Sequence, residues 1–345
     1  MLNSTPSRAF DHLVGMEPHI TKMNSLLCME SNEVRVVGIW GPAGIGKTTI
    51  ARALYDLVSS DFQLSIFMEN VKGNYSSKLQ LQEYFLSEIL NLKDMRINHL
   101  GVAKERLNSW KVFIVLDDVD KLEQLEAVAN ELLWFGAGSR IIVTTENKDL
   151  FKRHDIKHIY EVKFPSGNEA LQIFSRSAFK QDSSPEGFME LAVGVRQVTN
   201  HLPLGLCVLG SSMRGKSKIE WEHELHRLKS SLHDDIDKIL RIGYDSLGDT
   251  SICKTIFLHI ACLFNGEGED IQLLENSIID VKYGLGVLVE RALVSISSGK
   301  HITMHHLLQQ MGRGIAQEKN ADEPGKRQFL IESEEIRFHF RCLEA

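Results

Sequence analysis

The stretch Val34-Arg35-Val36-Val37-Gly38-Ile39-Trp40-Gly41-Pro42-Ala43-Gly44-Ile45-Gly46-Lys47-Thr48-Thr49 decides how the chain is read. Its apolar run, Val34 to Trp40, predicts a buried strand. Gly41 to Thr48 fits G-x-x-x-x-G-K-[ST], and apolar residues at helical spacing follow from Ile50 to Val58. Strand, glycine loop and helix form the context in which this motif cradles phosphate. Gly41, Gly44 and Gly46 lack Cβ, so the backbone can turn tightly and aim its N–H groups inward. The helix behind adds unsatisfied amides and partial positive charge. In such a loop Lys47 reaches the β- and γ-phosphates, Thr48 holds Mg²⁺ and Thr49 is a candidate for the α-phosphate.

Working outward, Phe10 to Cys28 predicts an amphipathic helix after a linker over residues 1–9. Further strands are expected at Leu64–Val71, at Lys111–Asp120, which ends in acids, at Ser139–Thr145 and at Ile159–Val162. Helical periodicity runs over Lys78–Leu92, Leu100–Trp110 and Leu122–Phe135. This alternation predicts an α/β domain with a mostly parallel sheet and helices on both faces. Ligands then sit at the carboxyl ends of the strands. After Pro165 the pattern changes to helices at Glu169–Phe179, Glu186–Thr199 and Pro203–Met213. Beyond Asp234 come helical stretches at Ile236–Tyr244, Lys254–Phe264, Ile271–Asn276 and Leu285–Glu290. Two short β-like runs, Val294–Ser297 and Ile302–His305, flank the turn Ser298-Gly299-Lys300, and Leu307–Gln317 is helical again. That order suggests a winged helix. The expected boundaries are a linker and helix over 1–32, a phosphate-loop subdomain over 33–164, a helical subdomain over 165–235, a winged-helix subdomain over 236–320 and an irregular tail over 321–345.

Asp117 follows five apolar residues and emerges at a strand end, where a carboxylate can bind Mg²⁺ through water. Asp118 beside it is placed to position or deprotonate an attacking water. An inserted strand between the loop and these acids marks the branch of phosphate-loop proteins that activates water, and argues against nucleoside kinases. Thr144 and Thr145 end the next strand and are candidates to sense a γ-phosphate. His305 and His306, read as neighbours on a strand, point to opposite faces, which is poor geometry for one zinc. A serine hydrolase is excluded by the lack of a G-x-S-x-G elbow. The chain has 345 residues, 43% hydrophobic, and a net charge of −7 with no basic run, which argues against nucleic acid as the main partner. Five dispersed cysteines without a C-x-x-C pair read as free thiols of a cytoplasmic or nucleo-cytoplasmic protein. No apolar stretch approaches a membrane span of roughly 18 residues, and residues 1–10 lack a signal-peptide core.

Several stretches together match one family in order. Leu13-Val14-Gly15-Met16-Glu17, Gly41 to Thr49, Phe67-Met68-Glu69-Asn70-Val71 and Leu116-Asp117-Asp118-Val119 come first. Gly138 to Thr145, Leu202-Pro203-Leu204-Gly205-Leu206, Phe257 to Cys262, Met304-His305, Leu307 to Gly312 and Pro324 to Phe329 follow. From about residue 10 to 335 the chain resembles the NB-ARC region of plant disease-resistance receptors with leucine-rich repeats, in the subclass with an N-terminal Toll/interleukin-1-receptor domain. The resemblance implies a nucleotide switch. ADP locks nucleotide-binding, helical and winged-helix subdomains together, and exchange for ATP opens them for self-association, with slow hydrolysis at most. It also implies that Val14 flanks the base, Pro203 lies against the adenine and His305 reaches the ADP β-phosphate. Alone, Pro203 reads as a helix-start proline and His305 as a packed strand histidine.

Four departures stand out. His201 replaces a glycine, and His306 stands where many members carry aspartate. An aspartate there would act from the far strand face. Glu146 occupies the position of a sensor arginine in other subclasses, and Ile336–Ala345 loses the pattern before any repeat. The effector and repeat domains are absent from this chain, which therefore reads as a fragment or a truncated product. The competing readings are a turnover ATPase of the motor or remodeller kind, and an adaptor with a vestigial site. Intact Lys47, Thr48 and Asp117 argue against the adaptor.

Overall fold

The computed structural model describes residues 13–72, 77–92, 102–129, 134–230, 234–245, 247–248, 252–263, 269–270, 280–296 and 301–318. The expected linker over 1–9, the helix at Ile271–Asn276, the turn at Ser298–Lys300 and the tail over 321–345 lie outside them. The chain divides into two compact units, Met1–Phe164 and Pro165–Ala345.

The first unit alternates helices and strands. In order it contains α1 (Met16–Leu27), β1 (Arg35–Trp40), α2 (Lys47–Val58), β2 (Leu64–Met68), α3 (Lys78–Ile89) and α4 (Val102–Leu107). Then follow β3 (Val112–Leu116), α5 (Leu122–Ala129), β4 (Arg140–Thr145), α6 (Asp149–Arg153) and β5 (His158–Glu161). All strand pairs are parallel, in the order β2-β3-β4-β1-β5. Every residue of β3 and β4 is buried, as expected of strands covered on both faces. Phe113, Ile114 and Val115 are fully buried, each contributing about 1.5–3 kcal/mol. Gly38 in β1 is fixed by packing, because a Cβ there would lie 2.4 Å from the Phe151 ring.

Register sets the geometry of the site. Trp40 pairs with Thr145 and Leu116 with Val143, so the loop after β1, the acids after β3 and the end of β4 share one edge. At the opposite edge Arg140 is fully buried. Its guanidinium donates to the carbonyls of Leu27 (2.6 Å), Cys28 (2.5 Å), Ser31 (2.7 Å), Glu33 (2.8 Å) and Ser139 (2.9 Å). These bonds tie the carboxyl end of α1 and the segment after it to β4. Burial pushes the Arg140 pKa down, and neighbouring Arg35 adds to that.

In the second unit come α7 (Gly167–Phe179), α8 (Met189–Thr199), α9 (Pro203–Met213), α10 (Lys218–Ser230), α11 (Asp234–Asp245) and α12 (Ile252–Leu263). They are followed by β6 (Glu269–Asp270), α13 (Val281–Glu290), β7 (Ser295–Ile296), β8 (His301–Thr303) and α14 (His306–Glu318). Ser166 and Glu169 form a reciprocal capping box that starts α7. Trp221 of α10 is 1% exposed, and its ring meets Phe174, Phe179 and Phe188 at centroid distances of 5.6, 5.1 and 5.0 Å. The small strands form an antiparallel sheet in the order β6-β8-β7, with α14 packed on α12. Helices around a small antiparallel sheet are the expected winged helix, with β6, between α12 and α13, as a third strand beside the two expected β runs.

Three expectations change. The helix α10 was not expected, since its sequence is largely polar. The short α6 was not expected either. His305 and His306 do not share a strand, because β8 ends at Thr303 and His306 opens α14. Strand alternation therefore says nothing about this pair, and an argument from the far face of a strand does not apply to His306.

Candidate functional site

The loop after β1 is shaped by its glycines. Gly46 caps α2 with φ 102°, a left-handed conformation that strains residues bearing a Cβ. The first helical bond of α2 runs from Ile50 N–H to the Gly46 carbonyl at 3.0 Å. The preceding helix amides therefore have no intrahelical acceptor. Thr48 and Thr49 lie exposed in this first turn, beside the loop. Lys47 opens the helix and is 7% exposed. Its ammonium donates to the Gly41 and Pro42 carbonyls at 3.0 Å each and lies 3.5 Å from a Glu146 carboxylate oxygen.

The acids complete the edge. Asp117, 5% exposed, accepts from the Thr48 hydroxyl at 2.9 and 3.1 Å and from the Thr144 hydroxyl at 2.7 Å. A carboxylate and a hydroxyl in direct reach are hard oxygen donors, a pair that fits Mg²⁺ with water and phosphate filling its other positions. Asp118 has φ 58°, and its N–H donates to Thr144 Oγ1 at 2.8 Å. Its carboxyl is pushed above the usual range, first by burial and then by Glu146, against the opposing pull of Lys72 and Lys47. Thr144 thus bridges both acids. Thr145 is fully buried, and its hydroxyl donates to the Val119 carbonyl at 2.5 Å and accepts from Asn147 N–H at 3.0 Å. Those two bonds hold the hydroxyl to the loop backbone at the end of β4.

Val14 lies half-buried just before α1, whose His19 Nδ1 is 2.5 Å from the Tyr160 hydroxyl of β5. The first unit therefore brings together Gly41, Gly44, Gly46, Lys47, Thr48, Thr49, Asp117, Asp118, Thr144 and Thr145 along one sheet edge. Pro203 and His305 belong to the second unit. Pro203 is the first residue of α9. His305 Nδ1 accepts from Leu307 N–H at 3.2 Å and so caps α14. Its proton is then on Nε2, which donates to the Asn200 carbonyl at 3.1 Å. His201 also acts locally, with Nδ1 3.0 Å from the Pro165 carbonyl. The sequence reading gave no role to the contact between Glu146 and Lys47 or to Lys72. The first shows only once register sets Trp40 beside Thr145.

A family model described as the NB-ARC domain matches residues 16–184. A second, described as the Roq1-like disease resistance protein winged-helix domain, matches residues 252–320. Disease resistance protein RML1B of Arabidopsis thaliana is 52% identical over 348 residues, covering 97% of this chain and 34% of its own length. Disease resistance protein TAO1 of Arabidopsis thaliana is 47% identical over 346 residues, covering 97% and 29%. The chain thus spans about a third of the length of these relatives. Among solved structures, a Walker-type ATPase of Pyrococcus abyssi aligns with a TM-score of 0.58 at 12% identity, over 91% of this chain and 99% of that one. That likeness concerns the fold alone.

Proposed function

We propose, from the premise that this chain belongs to the NB-ARC family of disease-resistance proteins, that it is an ADP/ATP-operated switch of an immune receptor. ADP would hold the closed state and ATP an open, self-associating one. The observation that carries the reading is the row of groups along one sheet edge. Lys47 stands behind a left-handed glycine, with the Thr48–Asp117–Thr144 chain of hydroxyl and carboxylate beside it.

Each group has a separate task. Loop and first-turn amides surround the phosphates, and Lys47 exchanges its loop carbonyls and Glu146 for phosphate oxygens. Thr49 takes the α-phosphate. Thr48 and Asp117 would hold Mg²⁺, which supplies charge neutralisation on the phosphates. Asp118 positions the attacking water, and Thr144 fixes both acids through its single hydroxyl. We assign Val14 and Pro203 to the base and His305 to the β-phosphate on the family pattern, with the Nε2–H of His305 as donor. Among the described residues no helix is long and apolar enough to cross a membrane. Cys28, Cys207, Cys253 and Cys262 are free thiols, which supports a reducing compartment such as the cytoplasm.

A switch retains its nucleotide and turns over slowly. The test is to denature the purified chain, identify the released nucleotide, and measure steady-state hydrolysis. A stoichiometric adenine nucleotide and turnover far below the typical enzyme rate of about 10 s⁻¹ are expected. Rapid steady turnover would favour the motor or remodeller reading instead.

A further inference from the structure

The two halves of α1 are held to the first unit by different means. Its carboxyl half is packed, since Met23 and Leu27 are fully buried and Arg140 donates to the Leu27 and Cys28 carbonyls. Its amino half is not, because no residue from Met16 to Lys22 is buried. The helix start supplies no side-chain cap either, as the N-cap residue is Gly15 at φ 70°. A polar contact one turn in anchors this half. His19 Nδ1 lies 2.5 Å from the Tyr160 hydroxyl, and the two rings meet edge to face with centroids 5.8 Å apart and planes at 74°.

Tyr160 is a fixed point beside the phosphate loop. It sits in β5, where it pairs with Ile39, and the next pair is Trp40 with Glu161. Val162 N–H then donates to the Trp40 carbonyl at 2.9 Å, directly before Gly41. The Tyr160 backbone is thus tied to the strand that carries the loop. Its hydroxyl passes that position on to His19, and so to Val14 and Gly15 just before the helix. Burial pushes the Tyr160 pKa up, so the phenol keeps its proton at neutral pH. The bond forms with either imidazole tautomer, because Nδ1 accepts from the phenol when unprotonated and donates to the phenol oxygen when protonated.

We infer that His19 and Tyr160 are positioning residues for base recognition, which together fix the Val14–Gly15 segment relative to the glycine loop. This rests on the assignment of Val14 to the base in the proposed function. The pair acts through Val14 and touches no phosphate, whose ligands come from the loop and the start of α2. It therefore governs the part of nucleotide affinity that depends on the base, and leaves the phosphate part alone.

The test titrates MgADP and magnesium pyrophosphate calorimetrically into the wild-type chain, Tyr160→Phe, His19→Leu, these two changes combined, and His19→Asn. Tyr160→Phe keeps the ring and its packing and removes only the hydroxyl. Asparagine carries an amide where Nδ1 stands and can keep the bond to Tyr160, whereas leucine cannot. MgADP affinity should fall by about fivefold in Tyr160→Phe and in His19→Leu, as the loss of one hydrogen bond requires. The combined variant should be no weaker than the single ones, since each already removes the same bond. His19→Asn should bind MgADP close to wild type, and pyrophosphate should bind every chain alike. Amide exchange over residues 14–20 of the ligand-free chain should quicken in Tyr160→Phe and in His19→Leu, and less in His19→Asn. A wild-type preference for MgADP over pyrophosphate that persists unchanged in Tyr160→Phe would overturn the pair and leave the base assignment of Val14 standing. Equal weakening of both ligands, additive losses in the combined variant, or His19→Asn behaving as His19→Leu would overturn it too. Equal affinity of the wild type for MgADP and pyrophosphate would instead break the base assignment itself, and the pair with it.

Discussion

At the amino ends of the strands, Arg140 has five backbone carbonyls for its five N–H groups. At the carboxyl ends, Lys47 has two carbonyls and, 3.5 Å away, the Glu146 carboxylate. Both cations are buried in one unit. Arg140 is satisfied by groups that have nowhere else to go, and its fork shape locks five directions at once. Lys47 is a point charge on a flexible stem, and the helix residues next to it, Thr48 and Thr49, are exposed. The difference separates a cation that closes the fold from one that, in the proposed function, exchanges its partners for phosphate oxygens.

The largest expected effect follows at the closed end. Arg140→Met should lower unfolding free energy by on the order of 3–5 kcal/mol, because several buried carbonyls lose their donor at about 1–3 kcal/mol each. Urea denaturation measures this. A loss under about 1 kcal/mol would mean that water replaces the guanidinium, and the contrast between the two ends would dissolve.

A smaller effect is expected from Asp118→Ala. Single-turnover hydrolysis should fall by roughly 10²-fold, within the range of a positioned acid–base group, while ATP affinity holds. A water-positioning group acts in the transition state more than in the ground state. Collapse of affinity with an intact rate would instead make Asp118 a ligand or structural acid.

The smallest effect sharpens the account of exchange. Glu146→Gln removes the carboxylate that competes for Lys47 and stands close enough to push the Asp118 carboxyl upward. Both nucleotides should bind more tightly, by roughly fivefold for an interaction of about 1 kcal/mol. Weaker binding would show that Glu146 positions Lys47 rather than opposing its transfer to phosphate.

The comparison also shows what a sequence can reveal. The Lys47 end was legible because its chemistry is carried by side chains and glycines at fixed spacing, and because five apolar residues deliver Asp117 to a strand end. Lys47, Thr48, Asp117 and Thr144 fall on one edge as the alternation of strands implied. The Arg140 end was not legible, since its acceptors are main-chain carbonyls of residues 27–33 and 139 and leave no mark on residue type. The helix α10 was missed for a related reason. Only Trp221, Leu225 and Leu228 of its described side chains are buried, too few against a polar background to set a period. The fate of Thr145 depended on a loop carbonyl, and that of His305 on where β8 stops, and neither follows from pattern alone.

The most direct measurement is a titration of MgADP against the wild-type chain and Lys47→Ala at matched pH and salt, with thermal unfolding recorded on both. Exchange of Lys47 from loop carbonyls to phosphate predicts tight binding by the wild type. It predicts at least roughly hundredfold weaker binding by the variant, about 3 kcal/mol for two charge-assisted hydrogen bonds. The ligand-free melting temperature should be nearly the same in both. Equal affinity in the two chains, or a variant that loses stability as Arg140→Met does, would contradict it.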